Sequence, residues 1–285
     1  MRIGTRGSAL ALAQARLVAG LLPGDPEIVP ITTSGDRSAS GDKARFVKEI
    51  EEALLAEEID LAVHSAKDVP AQLPDGLAIV GVPERADARD ALCGAGSLDD
   101  LPEGAAVGTS SLRRRAQLMA ARPDLKVSDL RGNVDTRLSK LADYDAIVLA
   151  SAGLARLGRG GEGTPIAADR LTPAAGQGCL ALEARVGDER AATAAASVTD
   201  RDALVRLTAE RAVVGALEAD CHTPVGAHAT LADGHLTLAA FVGRPDGSAW
   251  VRDLLEGDSG APARLGEEMA GRVLAAGGSQ LLGRE

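Results

Sequence analysis

Apolar positions change period at nearly regular intervals along the chain. Arg2 to Thr5 reads as a short strand. Leu10, Ala13, Leu17 and Leu21 then recur at helical spacing behind Ser8, a good N-cap, so a helix is predicted from about Ser8 to Gly20. Glu27 to Thr32 is predicted as a strand, and the polar, glycine-containing stretch from Ser34 to Arg45 as a loop. Phe46, Ile50, Ala53 and Leu54 mark an amphipathic helix ending near Glu58, and runs of strand length follow at Asp60 to His64 and Leu77 to Val82. After Pro102–Gly104 the alternation restarts, with a strand at Ala105 to Gly108 and a helix through Leu112, Ala116, Met119 and Ala120. A strand at Lys126 to Leu130, a helix through Val134, Leu138 and Leu141, and a buried-type strand at Ala146 to Ala150 complete it. Strands alternating with helices predict an α/β architecture on mainly parallel sheets.

Beyond Gln177-Gly178 come an apolar run from Cys179 to Leu182, an Ala-rich helical stretch near Ala191 to Ser197, and a long helix with Leu204, Leu207, Val214 and Leu217 on one side. Past Cys221 the pattern changes. His228 to Leu231, Leu236 to Val242 and Ala249 to Leu254 predict antiparallel strands turning at Gly234 and Pro245-Asp246-Gly247, before a last helix over about Pro262 to Ala276. This part is expected to be a small α+β domain. The two α/β halves open alike, Ile3-Gly4-Thr5-Arg6-Gly7-Ser8 against Val107-Gly108-Thr109-Ser110-Ser111-Leu112. Each pairs a Gly-Thr turn with a helix start, where free N–H groups bind anions.

A chain of 285 residues suits two or three domains. Aromatics are only 1%, which argues against a stacking platform for single-stranded nucleic acid. The net charge of -10 repels nucleic acid and acidic membranes, so neither is an expected partner. An anionic ligand must then be met by a local cluster of Arg and Lys. No basic segment leads into an apolar leader, no run approaches the ~18 apolar residues of a membrane span, and Cys93, Cys179 and Cys221 stand far apart. The cytoplasm is the expected compartment.

Cations gather with hydroxyls or glycines at Arg6 with Ser8, at Ser110-Ser111-Leu112-Arg113-Arg114-Arg115, at Arg131-Gly132-Asn133 with Arg137, and at Arg156. Any one of them taken alone reads first as solvated surface charge. Arg6, Arg113 and Arg131, however, all follow predicted strand ends, where open α/β sheets place ligands, and several Arg together suit a ligand with several carboxylates. His64-Ser65-Ala66-Lys67-Asp68-Val69-Pro70 also follows a strand end. Asp68 is there either a turn-forming residue or a lone carboxylate among cations; no partner spacing indicates a glycosidase pair. Cys221, in Asp220-Cys221-His222-Thr223-Pro224-Val225-Gly226, is either an ordinary loop residue or a reactive thiol. No ligand spacing supports a metal beside it, and Cys93 and Cys179 sit in apolar, strand-like contexts. Walker, dinucleotide and nucleophile-elbow motifs are absent.

Together these segments closely resemble the hydroxymethylbilane synthase (porphobilinogen deaminase) family. RIGTRGSALALAQA, FVKEIEEALL, DLAVHSAKDVP, VGTSSLRR, LRGNVDTRLSKL, PAAGQG and CHTPVGA occur in family order and cover the chain from Arg2 to roughly Gly278. The resemblance implies two α/β domains like type II periplasmic binding proteins plus a small C-terminal α+β domain with an antiparallel sheet. The expected bounds are 1–84 with 177–198, then 88–173, then 200–285. It implies a monomer carrying a dipyrromethane cofactor on a thioether to Cys221. Four porphobilinogen molecules are added in turn with loss of ammonia, and water releases the linear tetrapyrrole.

By the same match Asp68 is the catalytic carboxylate. It would stabilise the positive charge left on the substrate when ammonia departs, best in a water-poor site. Lys67, Ser111, Arg113, Arg114, Arg131, Arg137 and Gln177 are implied cofactor contacts with Cys221. Arg6, Ser8, Arg131 and Arg156 are implied substrate contacts. Three positions depart from the family pattern: the short 34–45 loop with Lys43, Arg115 where Gln is common, and Asp220 where Gly is frequent. The other reading of the residues is a solute-binding or sensor protein for a multicarboxylate ligand, which leaves Cys221 and the third domain without a role.

Overall fold

The computed structural model describes residues 1–33, 47–220 and 223–283, so Lys43, Phe46, Cys221 and His222 lie outside it. In chain order the first elements are β1 (Arg2–Arg6), α1 (Ala9–Leu21), β2 (Glu27–Ile31), α2 (Lys48–Leu55), β3 (Leu61–Ser65), β4 (Leu77–Gly81) and β5 (Asp90–Cys93). Next come β6 (Ala106–Gly108), α3 (Leu112–Ala121), β7 (Lys126–Ser128), α4 (Val134–Ser139), β8 (Ala146–Ala150), α5 (Ser151–Arg156) and β9 (Thr164–Pro165). The last are β10 (Leu180–Arg185), α6 (Glu189–Ala196), α7 (Arg201–Ala216), β11 (Val225–Ala232), β12 (His235–Gly243), β13 (Trp250–Asp258) and α8 (Pro262–Val273).

The chain divides into two compact units, Met1–Ala86 with Gly178–Val205, and Asp87–Gln177 with Arg206–Glu285. The first unit holds a five-stranded sheet in the order β2-β1-β3-β10-β4, and the second a five-stranded sheet in the order β7-β6-β8-β5-β9. In each, the first three strands are parallel, and the fourth runs antiparallel to both its neighbours. Four of the five strands in each sheet thus point the same way, as the mainly parallel reading expects, and one runs against them. Periodicity marks a strand but not its direction, and β5 and β10 do not enter their sheets through a right-handed strand–helix–strand crossover. The similar openings noted in the sequence, β1 and β6, take matching places in the two sheets. The second unit also holds the predicted antiparallel sheet, β11-β12-β13, with α8 packed on it.

Both five-stranded sheets are covered on both faces, which is why their strands read as near-continuous apolar runs. In the first unit Leu61 and Val63 pack with Ile3, Ala15, Val18 and Ala191 on one side, while the intervening Ala62 packs with Ile50 and Leu54 of α2 on the other. In the second, Leu92 and Val148 join Val107 and Leu118, whereas Cys93, Ile147 and Leu149 join Leu130 and Leu154.

The first core has a polar exception. Glu51 of α2, His64 of β3 and Glu183 of β10 are all buried, with His64 Nε2 3.0 Å from Glu183 Oε2. Burial, and then the charges of Glu183 and Glu52, push the Glu51 carboxyl up to about 7, against the opposing pull of His64. An acid raised this way stabilises the fold fully below its unfolded value of 4.5 and loses that contribution as pH rises through about 7. Glu51→Gln removes the titration, so at alkaline pH the variant should be more stable than wild type by about 1–3 kcal/mol. The gap should close toward acid pH. Urea unfolding at pH 5 and pH 8 checks this, and a gap independent of pH would mean that Glu51 titrates normally.

Candidate active site

In the first unit β1 and β3 are adjacent and parallel, so their carboxyl ends lie side by side. Arg6 ends one strand, and the turn Ala66–Asp68 leaves the other, the kind of place where open α/β sheets bind ligands. Ser8 Oγ accepts the Ala11 N–H at 3.3 Å and so caps α1. The buried Thr5 donates its hydroxyl to the Ala11 carbonyl at 3.3 Å. The turn after β3 is held by the Ala66 N–H on the Cys179 carbonyl (3.1 Å) and the Val69 N–H on the Ala66 carbonyl (3.3 Å). Gln14 of α1 donates to Ser65 Oγ at 2.8 Å. Lys67 and Asp68 emerge half-buried, and Asp68 lines one pocket with Thr5, Arg6, Ser8, His64 and Ser65.

In the second unit the same edge is built by β6 and β8. β5 runs antiparallel to β8 with Asp90 opposite Ala150, which delivers Asp90 to the carboxyl ends of the parallel strands. There α3 begins: Ser111 Oγ accepts the Arg114 N–H at 3.4 Å, and the Ser111 N–H donates to Thr109 Oγ1 at 3.3 Å. Arg113 and Arg114 are only 4% and 5% exposed, and both turn onto the fully buried Asp90. Arg113 Nη1 donates to Asp90 Oδ2 at 2.8 Å and to the Thr172 carbonyl at 2.7 Å. Arg114 donates Nε and Nη2 to Asp90 Oδ1 at 3.0 and 2.7 Å, and Nη1 to the Val148 carbonyl at 2.8 Å. Gln177 Nε2 completes the set on Asp90 Oδ1 at 2.9 Å. Burial works to raise the Asp90 carboxyl, but the two guanidiniums prevail and hold it far below the usual carboxylate range.

The loop supplying Gln177 is itself anchored. Gly176 and Gly178 adopt φ of +71° and +90°, a region that favours glycine, and Glu210 of α7 accepts the N–H groups of Gly176 and of Ala229 in β11, each at 2.7 Å. The remaining predicted arginines lie elsewhere in this unit. Arg131 is exposed, 3.5 Å from Asp129, just ahead of α4, whose cap Asn133 accepts the Thr136 N–H at 2.8 Å. Arg137 of α4 donates Nε to the Gly132 carbonyl at 2.7 Å, and Arg156 is half-buried in the last turn of α5. The structure therefore brings Arg113, Arg114 and Gln177 together on Asp90, with Ser111 capping the same helix start, and ties Arg137 to the Gly132 carbonyl, next to Arg131 in the chain.

Cys93 and Cys179 are buried, and burial followed by the charge of Glu162 pushes the Cys93 thiol up to about 11. On either side of Cys221, Thr223 Oγ1 donates to Asp220 Oδ1 at 2.7 Å and accepts the Asp220 N–H at 3.0 Å. Sequence reasoning missed Asp90 as a member of the cation cluster. Its one sequence signal is an acidic residue opening the otherwise apolar run Asp90-Ala91-Leu92-Cys93. Among the described residues no group of His, Cys, Asp and Glu is arranged to hold a metal, and no helix is long and apolar enough to cross a membrane.

Residues 1–193 match the family model described as "Porphobilinogen deaminase, dipyromethane cofactor binding domain", and residues 204–275 match "Porphobilinogen deaminase, C-terminal domain". The chain belongs to the porphobilinogen deaminase family. It is 48% identical to the porphobilinogen deaminase of Deinococcus radiodurans, with 98% of this chain and 97% of the relative covered. It is 49% identical to that of Thermus thermophilus, with the same coverage. Among solved structures, Immunogenic lipoprotein A from Vibrio vulnificus superposes with a TM-score of 0.44 at 12% identity, over 72% of this chain and 96% of that one, too distant to fix a ligand. As a porphobilinogen deaminase the chain is a transferase of tetrapyrrole biosynthesis, and its dipyrromethane-binding domain model spans both five-stranded sheets.

Proposed function

We propose that this porphobilinogen deaminase joins porphobilinogen units end to end with Asp68 as its catalytic carboxylate. The observation that carries the assignment is the pocket at the carboxyl ends of β1 and β3, where Asp68 stands with Arg6 and Ser8. Arg6 and Ser8 hold substrate carboxylates there. Asp68 accepts from the pyrrole N–H and stabilises the positive charge that develops on the substrate as ammonia leaves.

The donor set of the second unit fits an anionic dipyrromethane. Arg113 and Arg114 outnumber the one buried carboxylate they share, which leaves the cluster net positive. Ser111, Arg113, Arg114, Arg131, Arg137 and Gln177 of this unit, and Lys67 of the first, are the proposed contacts, with Cys221 as the covalent anchor. When bound, the dipyrromethane supplies the pyrrole end from which the tetrapyrrole grows. Arg131 and Arg156 bind substrate carboxylates.

We propose three functional domains at 1–84 with 177–198, 88–173 and 200–285. The start of the second family match at residue 204 supports the last of them. The net charge of -10 supports a monomer that binds no nucleic acid, and the three widely separated cysteines support a cytoplasmic location. Purified chain given porphobilinogen should release ammonia and a linear tetrapyrrole in a four-to-one ratio. Absence of ammonia release would overturn this reading.

A further inference from the structure

We propose that Asp90 is a positioning residue that sets the poses and net charge of Arg113, Arg114 and Gln177, so that Arg113 meets a pyrrole carboxylate. This rests on the functional reading above and deepens it. The first turn of α3 is an unfavourable place for two adjacent cations, because the positive end of the helix dipole adds to their mutual repulsion. They stay buried there because β5 enters the sheet antiparallel and puts one carboxylate at the helix start. Asp90 Oδ2 takes Arg113, and Asp90 Oδ1 takes Arg114 and Gln177. The one carboxylate therefore ties the start of α3 to the loop that supplies Gln177.

The three side chains are not equivalent. Arg114 directs all three of its nitrogens to Asp90 or to the Val148 carbonyl. Arg113 uses only Nη1, and among the described residues no acceptor meets its Nε or Nη2. That edge of a planar guanidinium is shaped for two-pronged contact with a carboxylate. With Asp90 ionised, the trio of Asp90, Arg113 and Arg114 carries one net positive charge, enough to attract an anionic pyrrole side chain. Without Asp90 the two guanidiniums would repel each other and lose their common orientation.

The test uses full-length Asp90→Asn and Asp90→Glu, expressed and purified like wild type and melting cooperatively. The pose is read with no ligand dependence, from exchange of the Arg114 Nε–H in ¹⁵N-arginine-labelled protein, its signal assigned by its loss in Arg114→Lys. The consequence is read by intact mass, as the fraction of chains bearing a covalent pyrrole addition. In Asp90→Asn the Nε–H should exchange far faster, and loading should fall by about tenfold or more. In Asp90→Glu, charge is kept but the carboxylate is displaced, and both readouts should lie between. Wild-type exchange in Asp90→Asn, or fast exchange with wild-type loading, overturns the proposal. If Asp90→Asn does not fold, Asp90→Glu decides: an unshifted Arg114 signal with undiminished loading overturns it. A wild-type chain with no covalent addition fails the functional reading instead, and the exchange comparison still judges the clamp.

Discussion

Asp68→Asn should release ammonia from porphobilinogen about 100- to 1,000-fold more slowly than wild type in a single turnover, while folding normally. Asn keeps the shape and one acceptor oxygen but loses the charge. The positive charge that forms on the substrate as ammonia leaves would then face a neutral amide. The penalty is large only where water is scarce, and the half-buried position of Asp68 in the pocket with Thr5, His64 and Ser65 meets that condition. The backbone of the turn is held in part without the carboxylate. Its fixed points are the Ala66 N–H on the Cys179 carbonyl and the Val69 N–H on the Ala66 carbonyl. The melting temperature should therefore change little. Asp68→Glu keeps the charge but extends it by a methylene and should retain more activity than Asn. Rapid-quench measurement of ammonia from cofactor-loaded protein decides the matter. A wild-type rate in Asp68→Asn would make Asp68 a turn residue and move the catalytic role elsewhere.

What could be read from sequence alone was local. Ser8 and Ser111 announce helix starts because a hydroxyl ahead of an apolar-periodic run accepts the first free N–H groups, and both cap their helices in the structure. The strands β1, β3, β6 and β8 announce themselves because sheets covered on both faces demand apolar residues at successive positions. Their carboxyl ends were thus legible, and with them the neighbourhoods of Arg6, Asp68 and Ser111.

Pairing across long sequence separations was not legible. Asp90 lies far in sequence from Arg113 and further from Gln177, and only the antiparallel register of β5 on β8 brings its carboxylate among them. For the same reason nothing local distinguishes Arg113, buried on Asp90, from Arg131, exposed beside Asp129. Both read as an arginine after a strand. Glu51, His64 and Glu183 repeat the lesson, since three elements converge to bury groups that each look solvated in isolation. Cys221, whose role was implied by resemblance, falls outside the described residues, so its assignment is left to chemistry.

That chemistry makes the largest expected effect of all. Purified wild-type chain should weigh more than its sequence by a two-pyrrole addition that survives denaturation, and Cys221→Ser should lack it entirely. A serine hydroxyl stays protonated near neutral pH, whereas a thiol ionises far more readily and is intrinsically far more nucleophilic. The replacement is nearly isosteric, so loss of the addition would report the chemistry of the sulfur rather than a collapsed turn. The other two thiols are poor substitutes. Cys179 is buried, and Cys93 is both buried and pushed up to about 11, which leaves almost no thiolate near neutral pH. Cys93→Ser and Cys179→Ser should accordingly keep the added mass. Activity should follow the same division, with Cys221→Ser releasing no tetrapyrrole. Intact mass spectrometry of the three variants after acid denaturation is the measurement. A covalent pyrrole addition persisting in Cys221→Ser would place the anchor on another residue, and its loss in Cys93→Ser would name that residue.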